Sequence, residues 1–329
     1  MQDNFVSIII PCRNEEKYIG RCLDSIIAQY YPKEKLEILV IDGMSEDGTR
    51  KIVKKYSKKY HFIKLLENPK RFTPFGLNIG VKNARGEIIM RMDTHTTYEK
   101  DYISKCLKYL KEYNVDNVGG IMKTLPAKNT LLAKAIANCL SHRFGSASGF
   151  RLGSKEPKLV DTVFGGCYKR EVFDKIGLFN ENLIRSQDLE FNLRLRRAGG
   201  KIFLVPEIIS YYYPSSDLKN FLKHNFLDGI WAIYPLKFIK IPFSFRHYIP
   251  FLFVLSLIGT GLLGIFFPIL FYLFLFTIGL YFLVNIYFSI RVTLKEKELG
   301  YLFLMPIIFS VRHIGYGLGS IFGLIKILQ

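Results

Sequence analysis

From Tyr248 to Ile290 the chain carries no charged residue, and this block limits what the whole can fold into. Tyr248–Phe267 is about twenty residues, enough to cross a hydrocarbon core. Pro268 then breaks the run, and Ile269–Ile290 is a second uncharged stretch of similar length. So short a connection makes the two an antiparallel hairpin, and a buried pair in a soluble core rarely runs this long without a charge. Lys237, Lys240 and Arg246 precede the hairpin; Arg291, Lys295 and Lys297 follow it. Basic flanks at both ends are expected to face the cytoplasm. A third apolar stretch, Tyr301–Ile325, carries Arg312 and His313 near its middle, Pro306 early and Gly315, Gly317, Gly319 and Gly323 late. It reads in two ways. One is an ordinary third span whose glycines pack against the hairpin. The other is an interfacial or re-entrant helix whose Arg312 meets a lipid phosphate.

Before this block, charged and apolar segments alternate as in a soluble α/β domain. The first apolar run begins at Val6, is broken by Pro11, and meets Arg13, Asn14, Glu15 and Glu16 at once. That is not a signal peptide, so the amino-terminal domain is expected to stay on the side where it is made. The formal charge of +18 suits anionic head groups or a phosphate-bearing substrate. No zinc-finger spacing or RNA-recognition motif supports a nucleic-acid polymer as partner. Cys12, Cys22, Cys106, Cys139 and Cys167 are dispersed with no C-x-x-C pair, which fits reduced buried thiols. The expected organisation is a domain over 1–235, a basic linker over 236–247 with Pro242 at its hinge, and a membrane region over 248–329.

Val6–Pro11 (VSIIIP) reads as a buried parallel strand, and Glu15–Gln29 carries Ile19, Leu23, Ile26 and Ile27 at helical spacing. Glu37–Asp42 is a second strand, Asp47–Lys59 a basic amphipathic helix, and Phe62–Leu66 a short strand. Thr73–Ala84 reads as a helix and Glu87–Asp93 as a further strand. This alternation predicts right-handed crossovers and a mainly parallel sheet. Ligands of such sheets bind at the carboxyl ends of the strands, where Pro11–Arg13, Asp42–Gly43 and Asp93–His95 are expected to converge.

Several residues on that rim have chemistry to offer. Asp93 and His95, two apart just past a strand, offer a carboxylate and an imidazole to one divalent cation; a strand-end Asp is also a common turn former. Asp42 either accepts hydrogen bonds from a base or ribose or caps the next turn. Ser45, Asp47, Gly48 and Thr49 suit that turn and helix start. Arg13, Arg71, Arg85 and Arg91 either pair with phosphate or sit as solvated surface cations. Further on, Ser186 is placed to cap a helix whose first turn holds Asp188 and Glu190. Those acids complement the helix dipole, or Asp188 deprotonates an acceptor hydroxyl. Gly165-Gly166 makes a tight turn or lets backbone approach a ligand.

Taken in order, SIIIPCRNEEKYI, VIDGMSEDGT, NPKRFTPFGLNIGVKNARGEIIMRMDTHTTYEKDYI, DNVGGIMKT, VDTVFGGCYKREVFDKIG, QDLEFNLRLRRAGGKIF and the YYYP stretch resemble the family-2 glycosyltransferases of GT-A fold. The likeness is strongest to the succinoglycan-biosynthesis type of membrane glucosyltransferase and spans about Ser7–Tyr234. The resemblance implies a donor nucleotide, a UDP-hexose, held by Pro11, Arg13, Glu15, Asp42 and Gly43, with Asn78, Arg85, Arg91 and Asp93 completing the donor site. It implies Mg²⁺ or Mn²⁺ on Asp93 and His95, Asp188 as catalytic base, and Gly165, Gly166, Gln187 and Trp231 toward the acceptor. Most relatives have Glu-Asp where this chain has Gln187-Asp188, so the aspartate is kept and the preceding glutamate is an amide. Lys223–Trp231 (KHNFLDGIW) lacks the Q-x-x-R-W signature of processive synthases, so a single inverting addition to a lipid-linked acceptor is expected. The enzyme is expected to be a multi-pass plasma-membrane protein whose hairpin holds a cytoplasmic catalytic rim near the head groups. Two rivals are an inactive sugar-binding protein of the same fold and a nucleotidyltransferase; PCRNEEKY is not the Gly-rich basic loop the second needs.

Overall fold

The computed structural model describes residues 4–146, 148–239 and 243–329, so Lys240 and Pro242 of the expected linker lie outside the described residues. In chain order the elements begin β1 (Val6–Cys12), α1 (Ile19–Ile27), β2 (Leu36–Asp42), α2 (Thr49–Lys59), β3 (Ile63–Glu67), α3 (Thr73–Asn83) and β4 (Ile88–Arg91). They continue β5 (Thr96–Tyr98), α4 (Tyr102–Glu112), β6 (Asn117–Thr124), α5 (Leu131–Ser141), α6 (Gly149–Leu152), β7 (Lys158–Leu159) and β8 (Cys167–Lys169). The last are α7 (Glu171–Ile176), α8 (Gln187–Arg197), β9 (Ile202–Tyr212), α9 (Leu218–Ile233), α10 (Ile249–Leu263), α11 (Pro268–Glu296) and α12 (Gly300–Leu328).

The chain divides into two units, Met1–Lys123 with Ser148–Tyr212, and Thr124–Ala147 with Tyr213–Gln329. In the first, strands run in the order β3-β2-β1-β4-β8-β6-β9-β5, with β7 on β9. The β3-β2-β1-β4 half is parallel, and β8 pairs antiparallel with both β4 and β6. Helices cover both faces. Ile8, Ile10 and Val40 pack with Leu23, Ile26 and Val53 on one side; Ile9, Leu39 and Ile41 pack with Leu77 and Val81 on the other. Two buried faces explain why β1 and β2 are continuous apolar runs without alternation. Parallel register sets Cys12 beside Asp42, and Ile9 beside Arg91. The carboxyl ends of β2, β1 and β4 therefore share one edge.

The second unit differs from the expected boundaries. Its helical bundle includes α5 and α9, which the sequence reading had assigned to the sheet domain. The reason is backbone approach. A Cβ on Gly229 of α9 would stand 2.0 Å from the Tyr316 carbonyl, and one on Gly319 of α12 would stand 2.0 Å from the Phe226 carbonyl. Small residues let two helices touch this closely. The glycines of α12 thus pack mainly on α9 rather than on the expected hairpin, with Gly317 turned to Val254 of α10.

Among the described residues two helices, α11 and α12, are long and apolar enough to cross a membrane, 29 residues each. At 1.5 Å per residue each reaches about 44 Å. The expected first span is shorter than the sequence suggested: α10 stops at Leu263 after 15 residues, a reach of about 22 Å. Arg291 and Lys295 fall inside the last turns of α11. The third stretch is one unbroken helix through Pro306, so a re-entrant turn is ruled out. Arg312 does not wait for a lipid phosphate. It donates to Asn225 Oδ1 and to the Gly145 carbonyl (3.2 Å), with Asp228 Oδ2 at 3.6 Å. His313 Nε2 lies 2.7 Å from the Phe144 carbonyl, which can only accept, so that nitrogen carries the proton and Nδ1 accepts from Tyr281. Polar groups buried in an apolar bundle need such partners.

Candidate active site

The loops after β1 and β2 are laced together. Asn14 and Met44 both adopt left-handed backbone, with φ 56° and 57°. Asn14 N donates to Ser45 Oγ (2.8 Å) and Asn14 Oδ1 accepts from Glu46 N (2.9 Å). Glu15 N donates to Thr49 Oγ1 (2.7 Å), and Gly48 N to Glu16 Oε2 (2.8 Å). Gly43 donates to the Cys12 carbonyl (2.8 Å), and a Cβ there would meet the Arg71 carbonyl at 2.8 Å. The rim beside Pro11 and Arg13 is therefore a fixed edge, with Arg13 itself exposed and 3.9 Å from Glu46.

Asp42 has no exposed surface. Its carboxylate accepts from Ser45 N (3.1 Å) and Arg50 Nη1 (3.1 Å). It caps the turn, and a donor contact through it needs Arg50 to move.

Past β4 the chemistry concentrates. Asp93 lies two residues beyond the strand, with its side chain 25% exposed, and accepts from Arg91 Nη2 at 3.3 and 3.4 Å. The same guanidinium reaches Asp188 Oδ2 through Nη1 at 3.6 Å. Burial pulls the Arg91 pKa down, but the Asp93 and Asp188 charges outweigh it and hold it above its ordinary value. His95 Nε2 is 3.0 Å from Glu15 Oε2, and its ring sits 4.1 Å from that of Tyr18. Asp93 and His95 offer one oxygen and one nitrogen donor, both part-exposed. Among the described residues no group of three His, Cys, Asp or Glu is placed to hold a metal. By donor chemistry such a pair would leave most positions of a divalent ion to phosphate oxygens and water, as at nucleotide sites, rather than caging it by protein alone.

On the other side of this point, Gly165 and Gly166 take φ 69° and 102°. Gly166 O accepts from Arg91 N (3.0 Å), and a Cβ on Gly165 would meet the Arg91 carbonyl at 2.7 Å. Only glycine permits both the left-handed turns and the close approach. Then α8 begins. Ser186 is left-handed (φ 60°) and does not cap the helix through its side chain, contrary to expectation. Asp188 Oδ1 instead accepts from Leu189 N (3.0 Å). Gln187 is buried and its Oε1 has no hydrogen-bond partner.

Two expected site residues, Arg85 and Asn78, do not join this cluster. Arg85 follows α3 at the opposite, amino edge of the sheet, where its N (2.6 Å) and Nε (3.1 Å) hold buried Glu37. Burial pushes the Glu37 pKa up, but the Ser7 and Arg85 hydrogen bonds outweigh it and hold it below the usual carboxylate range. Asn78 is buried and saturated: Nδ2 donates to Phe179 O and Glu181 Oε1, both at 2.9 Å, and Oδ1 accepts from Phe179 N (3.0 Å). It fastens α3 to the 179–181 turn. Trp231 belongs to α9 in the second unit, edge-on to Tyr234.

One residue missed in the sequence supports the cluster from behind. Asn192, one turn after Asp188 and fully buried, accepts from Asn117 Nδ2 (3.1 Å) and Tyr168 OH (3.2 Å) and donates to Thr162 Oγ1 (2.9 Å). Its only sequence signal was the i+4 spacing from Asp188. Asn192→Ala removes the hydrogen bonds it makes with Asn117, Tyr168 and Thr162 in the buried interior, so a loss of about 2–4 kcal/mol in unfolding free energy is expected. Urea titration of the full chain checks it; a change below about 0.5 kcal/mol would show the network to be idle.

The model for "Glycosyl transferase family 2" matches residues 7–177. A dolichyl N-acetyl-alpha-D-glucosaminyl phosphate 3-beta-D-2,3-diacetamido-2,3-dideoxy-beta-D-glucuronosyltransferase of Methanococcus voltae is 36% identical over 272 residues, 79% of this chain and 83% of that protein. The succinoglycan biosynthesis protein ExoA of Rhizobium meliloti (strain 1021) is 26% identical over 254 residues, 72% of this chain and 76% of its own. Among solved structures, the mannosyltransferase PcManGT from Pyrobaculum calidifontis, in complex with GDP-Man and Mn²⁺, has a TM-score of 0.53 at 21% identity. That match covers 68% of this chain and 61% of that one, a likeness of fold.

Proposed function

The chain belongs to glycosyl transferase family 2 and has the GT-A fold, and on that premise we propose that it moves a sugar with inversion from a nucleotide diphosphate to a lipid-linked saccharide. The observation that carries the proposal is that Asp93 and Asp188, far apart in sequence, present their carboxylates to one guanidinium at one end of β4. A leaving-group site and a base must stand this near each other for a single displacement.

Asp188 takes the proton of the acceptor hydroxyl as that oxygen bonds to the anomeric carbon. The bond from that carbon to the diphosphate oxygen breaks on the opposite face, and the electron pair leaves with the nucleotide. When bound at Asp93 and His95, Mg²⁺ or Mn²⁺ supplies positive charge to the departing diphosphate. Glu15, hydrogen-bonded to His95, orients that imidazole, and the laced β1 and β2 loops give the nucleotide a rigid edge at Pro11, Arg13 and Gly43. Gly165, Gly166 and Gln187 border the acceptor side.

A UDP-hexose is the proposed donor. The lipid-linked acceptor is supported by the Methanococcus relative, whose name gives a dolichyl phosphate sugar as acceptor. It is also supported by the lengths of α11 and α12, which suit anchorage in the plasma membrane with the sheet unit in the cytoplasm. The test offers the full chain, in nanodiscs with Mn²⁺, a panel of donors: UDP-glucose, UDP-N-acetylglucosamine, UDP-glucuronate and GDP-mannose. Each is paired with dolichyl- and undecaprenyl-phosphate-linked N-acetylglucosamine. A uridine donor is expected to release nucleotide well above its acceptor-free rate, with inverted anomeric configuration by NMR. Retained configuration, or release from none of them, contradicts the proposal.

A further inference from the structure

We propose that Arg91 is a positioning residue that aims the Asp188 carboxylate from the anchor of Asp93, rather than a ligand of the donor diphosphate. The inference rests on the reading of Asp188 as base. Arg91 ends β4 with its side chain only 12% exposed, where Arg13 on the same edge is 38% exposed. Its backbone is held from two directions, by register with Ile9 and by the Gly166 carbonyl. A guanidinium is a flat, rigid fork, so two carboxylates resting on its two ends are fixed relative to one another. One end, Nη2, meets both oxygens of Asp93.

The other end is unspent. Nη1 and Nε are buried without a hydrogen-bond partner, and Asp188 Oδ2 stands 3.6 Å from Nη1, in ion-pair range but beyond a hydrogen bond. A buried N–H left unpaired is costly, so a small closing movement of Asp188 is favoured. Asp188 Oδ1 is already tied to Leu189 N. Helix and fork together thus hold the base by both oxygens, while the positive charge between Asp93 and Asp188 offsets their mutual repulsion. A diphosphate ligand would need its donors exposed, and these are covered.

The test compares Arg91→Met and Arg91→Lys with the native full chain. UDP binding in the presence of Mn²⁺ is measured by calorimetry, and turnover is measured as UDP release from the donor found in the panel above. Arg91→Met is expected to bind UDP within about threefold of native and to lose about 100-fold in turnover, the cost of a base displaced by an ångström. Arg91→Lys keeps the charge without the fork and is expected to recover part of that loss. It also carries the same comparison should the Met variant fail to fold. UDP binding weakened about tenfold or more, or native turnover in the Met variant, overturns the inference. Asp188→Asn is run alongside. If it turns over normally the base reading itself has failed, whereas a dead Asp188→Asn beside an active Arg91→Met removes the Arg91 role alone.

Discussion

Asp188→Asn abolishes transfer, with turnover down about 10³- to 10⁴-fold, the upper range for loss of a general base. The amide is isosteric and keeps an oxygen for Leu189 N, so α8 starts as before. It cannot accept a proton, and it removes the negative charge that faces Arg91 Nη1. UDP binding with Mn²⁺ is expected to stay near native, because nothing assigned to the nucleotide has changed. Steady-state kinetics beside calorimetry reads both. A variant that turns over at the native rate removes Asp188 from the chemistry; one that loses UDP binding assigns it to the donor instead.

Asp93→Ala is expected to fail differently. It deletes one of the two donors offered to the metal, so UDP binding in Mn²⁺ should weaken by more than about 100-fold, beyond the typical cost of losing a mere outer-shell partner. It also frees Arg91 Nη2, leaving Asp188 as the guanidinium's remaining carboxylate. Without that anchor the guanidinium no longer fixes the direction of the base, and turnover falls even at saturating donor. Native UDP affinity in Asp93→Ala would show that the diphosphate binds elsewhere. The two variants are thus separable: Asp188→Asn binds and does not react, whereas Asp93→Ala does neither.

Part of this site was legible in the sequence because local pattern and strand ends determined it. β1 and β2 read as unbroken apolar runs because both their faces are covered, and Asp42 ends, and Asp93 follows, strands whose carboxyl ends share an edge. Asp188 announced itself in the first turn of a helix. Arg85 was misplaced although topology could have placed it. A crossover helix carries the chain back to the amino edge, so a residue between α3 and β4 stands opposite the rim. Asn78 and Asn192 were not legible, since each is defined by partners distant in sequence, Phe179 for one and Asn117 for the other.

The bundle was read less well for the same reason. Hydropathy found the apolar block, but it could not see that Gly229 and Gly319 bring α9 against α12 and so draw α9 out of the sheet domain. Nor could it see that Arg312, which looked like a charge awaiting a lipid phosphate, is met by Asn225 and Asp228, about one turn apart on α9. Periodicity reports which face is apolar; it does not report what the face meets.

The most direct measurement is an experimental structure of full-length Asp188→Asn with Mn²⁺ and the donor sugar nucleotide selected by the panel. The account predicts manganese at Asp93 and His95, touching the diphosphate, with the side chain of residue 188 on the far side of the anomeric carbon from the leaving oxygen. Manganese bound away from Asp93, or a sugar whose reacting carbon faces away from residue 188, would contradict it.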